Sequence, residues 1–347
     1  MKQNFGRLPD GRQADLYWIG DEYTQAAFTN LGAAIVRWLV PDAAGRKDDI
    51  ILGYDSAQEY FQNPGMMGAI VGRNANRIKD AQYSLNGTTY SLTPTSGPHN
   101  IHSGPNRYNL RLWDVTHYSK SSIRFRLFSS DGDQGFPGNA RIAVTYTLTG
   151  KALEIAYEMV CDQNTVFNLT NHAYFNLAGM GTPTTSIEDH LVRINADFYL
   201  PIDMNTNNTG EVRAVGDTPF DFRDYHSIGE RINRKDLQLL NGHGYDHCFV
   251  LKKPALHELS FAATCISPSS GRRMDIYTTE PGLIMYTGNY LPGFTGMHGT
   301  VYPRRSAVCF ETQCFPDTPN NPHFPSIVLR EGDLYKQTCI YQFSTQP

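Results

Sequence analysis

The sequence predicts an all-β protein, mostly antiparallel and built as one large sandwich, and three observations carry that expectation. Apolar and polar residues alternate with a period of two along much of the chain, helical periodicity is scarce, and 30 Gly with 20 Pro are spread evenly between the alternating runs. Of the 347 residues 40% are hydrophobic and 18% charged, so a large core is possible and disorder is excluded. No linker-like run or repeat divides the chain, which is expected to form a single domain over residues 1–347.

The elements follow in order. A short helix is expected from Ser56 to Gln62, stopped before Asn63-Pro64. Asn86-Gly87 lies between Tyr83-Ser84-Leu85 and Thr89 to Leu92, and Asn-Gly supplies the positive φ angles of a tight hairpin turn. Ile123, Phe125 and Leu127 face one way while Arg124 and Arg126 face the other, as a half-buried strand requires. Ile142 to Leu148 and Leu153 to Met159 form a second hairpin around Thr149-Gly150-Lys151. The polar run Pro201 to Thr218, with Asn205 to Asn208, is expected on the surface as loops. Short helices are expected around Ser227 to Leu240, and Tyr335, Gln337, Cys339, Tyr341 and Phe343 alternate along a closing strand.

Lys and Arg total 30 against 34 Asp and Glu, and no basic block exceeds pairs such as Arg272-Arg273 and Arg304-Arg305. Nucleic acid is therefore not an expected partner. Met1 to Tyr17 is polar, and Arg37 interrupts the apolar stretch Leu31 to Val40, so neither a signal peptide nor a membrane span is expected. Six cysteines lie scattered, never as C-x-x-C, and read as buried, reduced thiols of a cytoplasmic protein. Glycosylation-type matches at Asn86, Asn168 and Asn207 are then chance.

Four segments depart from strand patterning. Gly72-Arg73-Asn74-Ala75-Asn76-Arg77-Ile78 gathers two Arg and two Asn, the donors that a sugar hydroxyl or carboxylate site needs, although a solvated loop or an arginine holding carbonyls accounts for them as well. Gly97 to Gly104 carries His99 and His102, whose spacing in a loop fixes no metal geometry; one could cap a turn and the other lie exposed. Asn168 to Leu177 interleaves Asn168, Asn171, Asn176 and His172 with large apolar groups, and buried amides demand partners. Glu311 follows the apolar Ala307 to Phe310 and is either paired structurally or a base, and Asp246 has similar character.

Together these segments resemble the aldose 1-epimerase, or galactose mutarotase, family. The resemblance rests on GRNANRI (Gly72 to Ile78), NIHSG (Asn100 to Gly104), NLTNHAYFNL (Asn168 to Leu177), Gly244 to Phe249, PGLIMYTGNYL (Pro281 to Leu291) and Glu311 to Phe343, in matching order across nearly the whole chain. It implies a large twisted antiparallel β-sandwich with an open cleft and few helices, an aldohexose such as glucose or galactose as substrate, and no cofactor or metal. It implies Glu311 as general base, His172 as general acid and His102 as a second histidine near the ring oxygen. Asn76, Arg77, Tyr174 and Asp246 match groups that hold the sugar, Tyr174 over its apolar face. Ser103-Gly104 replaces the usual Gly-Gly. Ile284 stands where many members carry a sugar-contacting glutamine, which leaves the preferred aldose open, as the sequence also leaves monomer against homodimer. Three rivals stand beside this reading: a phosphosugar 1-epimerase, which needs cations beyond Arg77; a noncatalytic carbohydrate-binding protein; and a metal-dependent isomerase using His99, His102 and Glu311.

Overall fold

The computed structural model describes residues 1–62, 65–180, 186–291 and 293–346. The proposed Asn63-Pro64 helix stop lies outside them.

Period-two alternation builds antiparallel sheets, as expected. Nine strands form the largest, in the order Asp114–Tyr118, Ser122–Ser129, Ala140–Thr149, Ala152–Cys161, Leu334–Thr345, Arg272–Thr278, Ser260–Ile266, Leu191–Ile194 and His226–Ser227. Its centre is the expected hairpin, Ala140–Thr149 against Ala152–Cys161, with Gly150 at φ 57° in the turn. Ile123, Phe125 and Leu127 are buried and their arginine neighbours are not. In the closing strand Gln337, Cys339, Tyr341 and Phe343 are buried, and Tyr335 is half-buried. The Asn86-Gly87 hairpin joins Gln82–Leu85 to Thr88–Ser91.

A second sheet has five strands, Lys2–Arg7, Gln13–Gly20, Gln25–Thr29, Ala34–Pro41 and Lys47–Asp49. Phe28 meets Tyr146 at a ring separation of 4.5 Å and Trp38 meets Phe343 at 4.7 Å. These rings join the inner faces of the two sheets in one apolar cluster.

A third sheet carries much of the site: Arg213–Ala214, Ala196–Leu200, Asp246–Leu251, Gly282–Tyr286 and Cys309–Gln313. Asp246 lies opposite Tyr286 and Tyr286 opposite Cys309; two residues along, Cys248 lies opposite Ile284 and Ile284 opposite Glu311. Residues opposite each other, or two apart, share a face, so this register puts Asp246, Tyr286, Cys309, Ile284 and Glu311 on one side.

Helices are short. Ala57–Phe61 is capped by Ser56, whose hydroxyl accepts from Glu59 N and donates to its carboxylate at 2.6 Å. The region Ser227 to Leu240 holds two helical pieces, Ile228–Arg231 and Leu237–Asn241, the second capped by Asp236. The expected surface loop at Pro201 to Thr218 is found over most of its length, with an exception inside it. Asn207 and Asn208 are buried, and Asn208 Nδ2 donates to Pro316 O at 3.3 Å, because a polar run can be packed when its amides find carbonyls. All six cysteines are buried and unpaired by disulfides. Among the described residues no helix is long and apolar enough to cross a membrane.

Candidate active site

Segment 168–172 runs beside 69–75 and holds it. Ala75 N donates to Asn168 O at 2.7 Å, Asn168 N to Arg73 O at 3.0 Å, and His172 N to Ala69 O at 2.9 Å. The amides of Asn168, Asn171 and Asn176 donate to Cys314 O, Gly68 O and Ser306 O at 3.3, 2.7 and 2.9 Å. They are thus backbone clamps around His172. Gly72 is required by close approach, since a Cβ there would sit 2.2 Å from Leu169 Cδ2.

The two arginines of Gly72 to Ile78 divide. Arg73 is fully buried and donates to Pro137 O, Ser129 Oγ and Gly138 O at 2.6, 2.7 and 3.1 Å, so it is the arginine that holds carbonyls. Arg77 is half-buried, lines a cleft, and has a buried Nε without a partner among the described residues.

Asn76 and His102 lock to one another. His102 N donates to Asn76 O at 3.0 Å and Asn76 N donates to His102 Nδ1 at 3.2 Å, with Asn76 at φ 61° and His102 at φ 55°, both in the left-handed region. An Nδ1 that accepts leaves the neutral ring's proton on Nε2, so His102 is a donor. Asn76 Oδ1 accepts from Arg77 N at 2.8 Å, which leaves its Nδ2 available as a donor. Ser103 fits in place of glycine, although its φ is 78°, because its hydroxyl accepts from Asn74 N at 2.7 Å and donates to Asn74 O at 2.9 Å.

His172 stacks on Tyr174 with ring centres 5.0 Å apart and meets His102 and Tyr286 edge-on at 5.7 and 6.2 Å. Its Nε2 lies 3.7 Å from Glu311 Oε1 and its Nδ1 3.6 Å from Cys309 Sγ. Glu311 Oε2 is buried without a partner among the described residues. The cleft has a volume of about 360 Å³, enough for a monosaccharide-sized ligand.

Burial dominates the electrostatics. It pushes Glu311 up to about 8, with the Asp246 charge adding to the rise and Arg77 opposing it. Burial also holds His172 down to about 4. His102 is pushed well below its ordinary value by burial and by the positive charges of His172, Arg77 and Arg107. Asp246 is raised by burial against the pull of Arg77. Burial thus acts on the two partners in opposite senses, favouring the protonated carboxyl of Glu311 and the neutral imidazole of His172. An ion pair in these apolar surroundings costs more than a neutral pair.

The cleft gathers every residue singled out for catalysis or sugar contact: Glu311, His172, His102, Asn76, Arg77, Tyr174 and Asp246. Two expectations change in detail. Tyr174 presents a ring face to His172, so it packs that imidazole as well as lining the cleft. Ile284 lies beside Glu311 on the cleft side of the sheet but is buried in an apolar cluster with Cys248 and Tyr286 and does not line the opening. The set His99, His102 and Glu311 is not assembled, because His99 Nδ1 accepts from Asp80 N at 3.0 Å and His99 does not reach the cleft. Neither His99 nor His102 is exposed. Sequence reasoning missed Arg107, Tyr286, Tyr290 and Leu291, which also line the cleft. The last three sit within the recognised stretch Pro281 to Leu291; Arg107 follows the His102 loop with no signal of its own.

Known proteins resemble this chain along nearly its whole length. The family model described as Aldose 1-epimerase matches residues 15–342. Galactose mutarotase of Sus scrofa is 40% identical over 342 residues, covering 98% of this chain and 97% of that one. Aldose 1-epimerase of Haemophilus influenzae is 35% identical over 350 residues, with 99% of each chain covered. Among solved structures, the GalM/aldose epimerase homologue from C. elegans is 31% identical with a TM-score of 0.89, covering 96% of this chain and 100% of that one. Galactose 1-epimerase from Lactobacillus acidophilus is 27% identical with a TM-score of 0.86, covering 100% and 99%. The chain belongs to the aldose 1-epimerase family. It is an isomerase on a galactose mutarotase fold.

Proposed function

We propose that the protein interconverts the α and β anomers of aldohexoses such as glucose and galactose, with Glu311 and His172 as the proton-transfer pair. The observation that carries this reading is the Glu311 to His172 contact of 3.7 Å inside a cleft lined also by His102, Asn76, Arg77 and Asp246.

Opening a hemiacetal ring removes the anomeric hydroxyl proton and protonates the ring oxygen. Ionised Glu311 takes the first proton and protonated His172 gives the second, with the His102 Nε2 proton directed at the sugar as a fixed donor. The open aldehyde rotates about its first carbon-carbon bond, and the ring recloses on the other face with the two roles exchanged. The proton that burial favours on Glu311 must pass to His172 before a closed sugar can react. Ring opening then returns the pair to its neutral state, so burial favours the open chain that water disfavours. Asn76, Arg77 and Asp246 hold hydroxyls away from the reacting carbon while it turns. We place the whole chain in one domain, acting in the cytoplasm as a monomer or homodimer; six free, buried cysteines suit a reducing compartment.

One observation favours a second reading, a sugar phosphate as substrate. Arg107 lines the cleft near Arg77, and beyond the bond from its Nε to Gly104 O at 3.1 Å it forms no ion pair among the described residues. Polarimetry on fresh α-glucose, α-galactose and α-glucose 6-phosphate separates the two. The first reading expects fast interconversion of the neutral sugars and little effect of Arg107→Ala on them. The second expects a preference for the phosphate that Arg107→Ala reduces by about 10- to 100-fold, the loss of a charge-assisted hydrogen bond.

A further inference from the structure

We propose that the same cleft holds a second, inhibitory site: His172, Cys309 and Glu311 bind a thiophilic divalent cation of the zinc class. This rests on reading the cleft as the catalytic one.

All three side chains are buried, and each offers a ligand atom such that the three lie within 4.8 Å of one another. Cys309 and Glu311 are two residues apart on one strand and so project to one side, toward the imidazole. The separation of Cys309 Sγ from His172 Nδ1 is 3.6 Å. A tetrahedral zinc with bonds of about 2.3 Å to sulfur and about 2.1 Å to nitrogen spaces those two atoms by about 3.6 Å. Glu311 faces the other ring nitrogen, Nε2, at 3.7 Å, so its carboxylate, whose buried Oε2 has no partner among the described residues, must turn toward Nδ1 for an oxygen to join the set. His172 and Glu311 line the open cleft, which provides a route for the ion and a fourth position for water. One nitrogen, one sulfur and one carboxylate oxygen make a set suited to zinc or cadmium and poor for magnesium or calcium, which take oxygen.

On binding, the thiol and carboxyl protons leave to solvent as the metal-sulfur and metal-oxygen bonds form; nothing is oxidised or reduced. The ion occupies both members of the proton-transfer pair. It therefore stops ring opening and competes with sugar, although ring opening itself needs no metal.

The test is a Zn²⁺ titration of galactose interconversion, with each variant scored against its own metal-free rate and with EDTA added at the end. A Cd²⁺ titration runs alongside, read by the ultraviolet thiolate-to-cadmium absorption. Zinc should inhibit reversibly, galactose should protect, and cadmium should give the band at one ion per chain. Cys309→Ser should abolish the band and raise the half-inhibiting zinc concentration at least about tenfold. Should that variant not fold, Cys309→Ala serves in its place, and His172→Asn, read by the band alone, should weaken cadmium binding. Absence of inhibition overturns the proposal. So does inhibition that Cys309→Ser leaves unchanged, which would put the ion elsewhere, as on the solvent-accessible pair of His226 and Glu230, whose Nδ1 and Oε2 lie 2.9 Å apart. A protein that fails to interconvert anomers without metal refutes the catalytic reading instead, and the cadmium titration still decides the site.

Discussion

Replacing Glu311 with glutamine should stabilise the fold while disabling it, and the gain should grow with pH. The carboxyl of Glu311 is held at about 8 in the folded protein against 4.5 for an unperturbed glutamate. Between those values the unfolded chain has released the proton that the folded chain keeps, so folding stability falls as pH rises through the window. At 1.36 kcal/mol per pKa unit the cost is about 1 kcal/mol at pH 5 and about 3 kcal/mol at pH 7. The glutamine side chain carries no charge at either pH, so the difference between the two proteins isolates this group. Urea unfolding of wild type and Glu311→Gln at pH 5 and pH 7 measures it, and the gap should widen by about 2–3 kcal/mol. A gap that stays constant or narrows with pH would refute the claim that Glu311 is buried as a neutral acid.

Three further outcomes follow from the same geometry. The ratio kcat/KM should stay level between about 4 and about 8, falling above as Glu311 releases its proton and below as His172 gains one. An alkaline fall near the ordinary histidine value of about 6.5 would contradict the burial of His172. Dialysis against EDTA should not lower the rate, and a rate restored only by added divalent metal would contradict proton transfer as the whole chemistry. Ile284→Gln should cost about 1–3 kcal/mol of stability by burying an amide among apolar neighbours, measured by urea unfolding. The ratio of kcat/KM for glucose and galactose should stay unchanged, and a shift in it would place position 284 against the sugar.

What was legible in the sequence was local. Thr149-Gly150-Lys151 and Asn86-Gly87 carry their turn geometry within a few residues, and the alternation from Ile123 to Leu127 needs only the strand itself. The residues that line the cleft were legible as a family pattern, but their separate placements were not. Arg73 and Arg77 stand four apart in one polar run, and what separates them is a set of carbonyls at Pro137 and Gly138 that pairs with Arg73 alone. Cys309 reads as one more core residue until folding brings it to His172, 137 positions away. Asn207 and Asn208 do lie in a loop, but their burial was not legible, since polarity along the chain does not reveal that Pro316 waits to accept from Asn208. Ionisation was the least legible of all. Glu311 and His172 have their ordinary values in any sequence, and it is burial in the folded cleft, with the Asp246 charge beside Glu311, that favours the proton on the carboxyl.

Anomer interconversion by Glu311→Gln, His172→Asn and the double variant, followed by polarimetry beside sugar binding by calorimetry, tests the proton-transfer pair most directly. Each single variant should bind galactose yet interconvert it at least about 100-fold more slowly. The double variant should lose far less than the product of the two single losses, because the groups work as a unit. Near-normal interconversion by a folded Glu311→Gln protein would contradict the account and leave the cleft as a sugar-binding site.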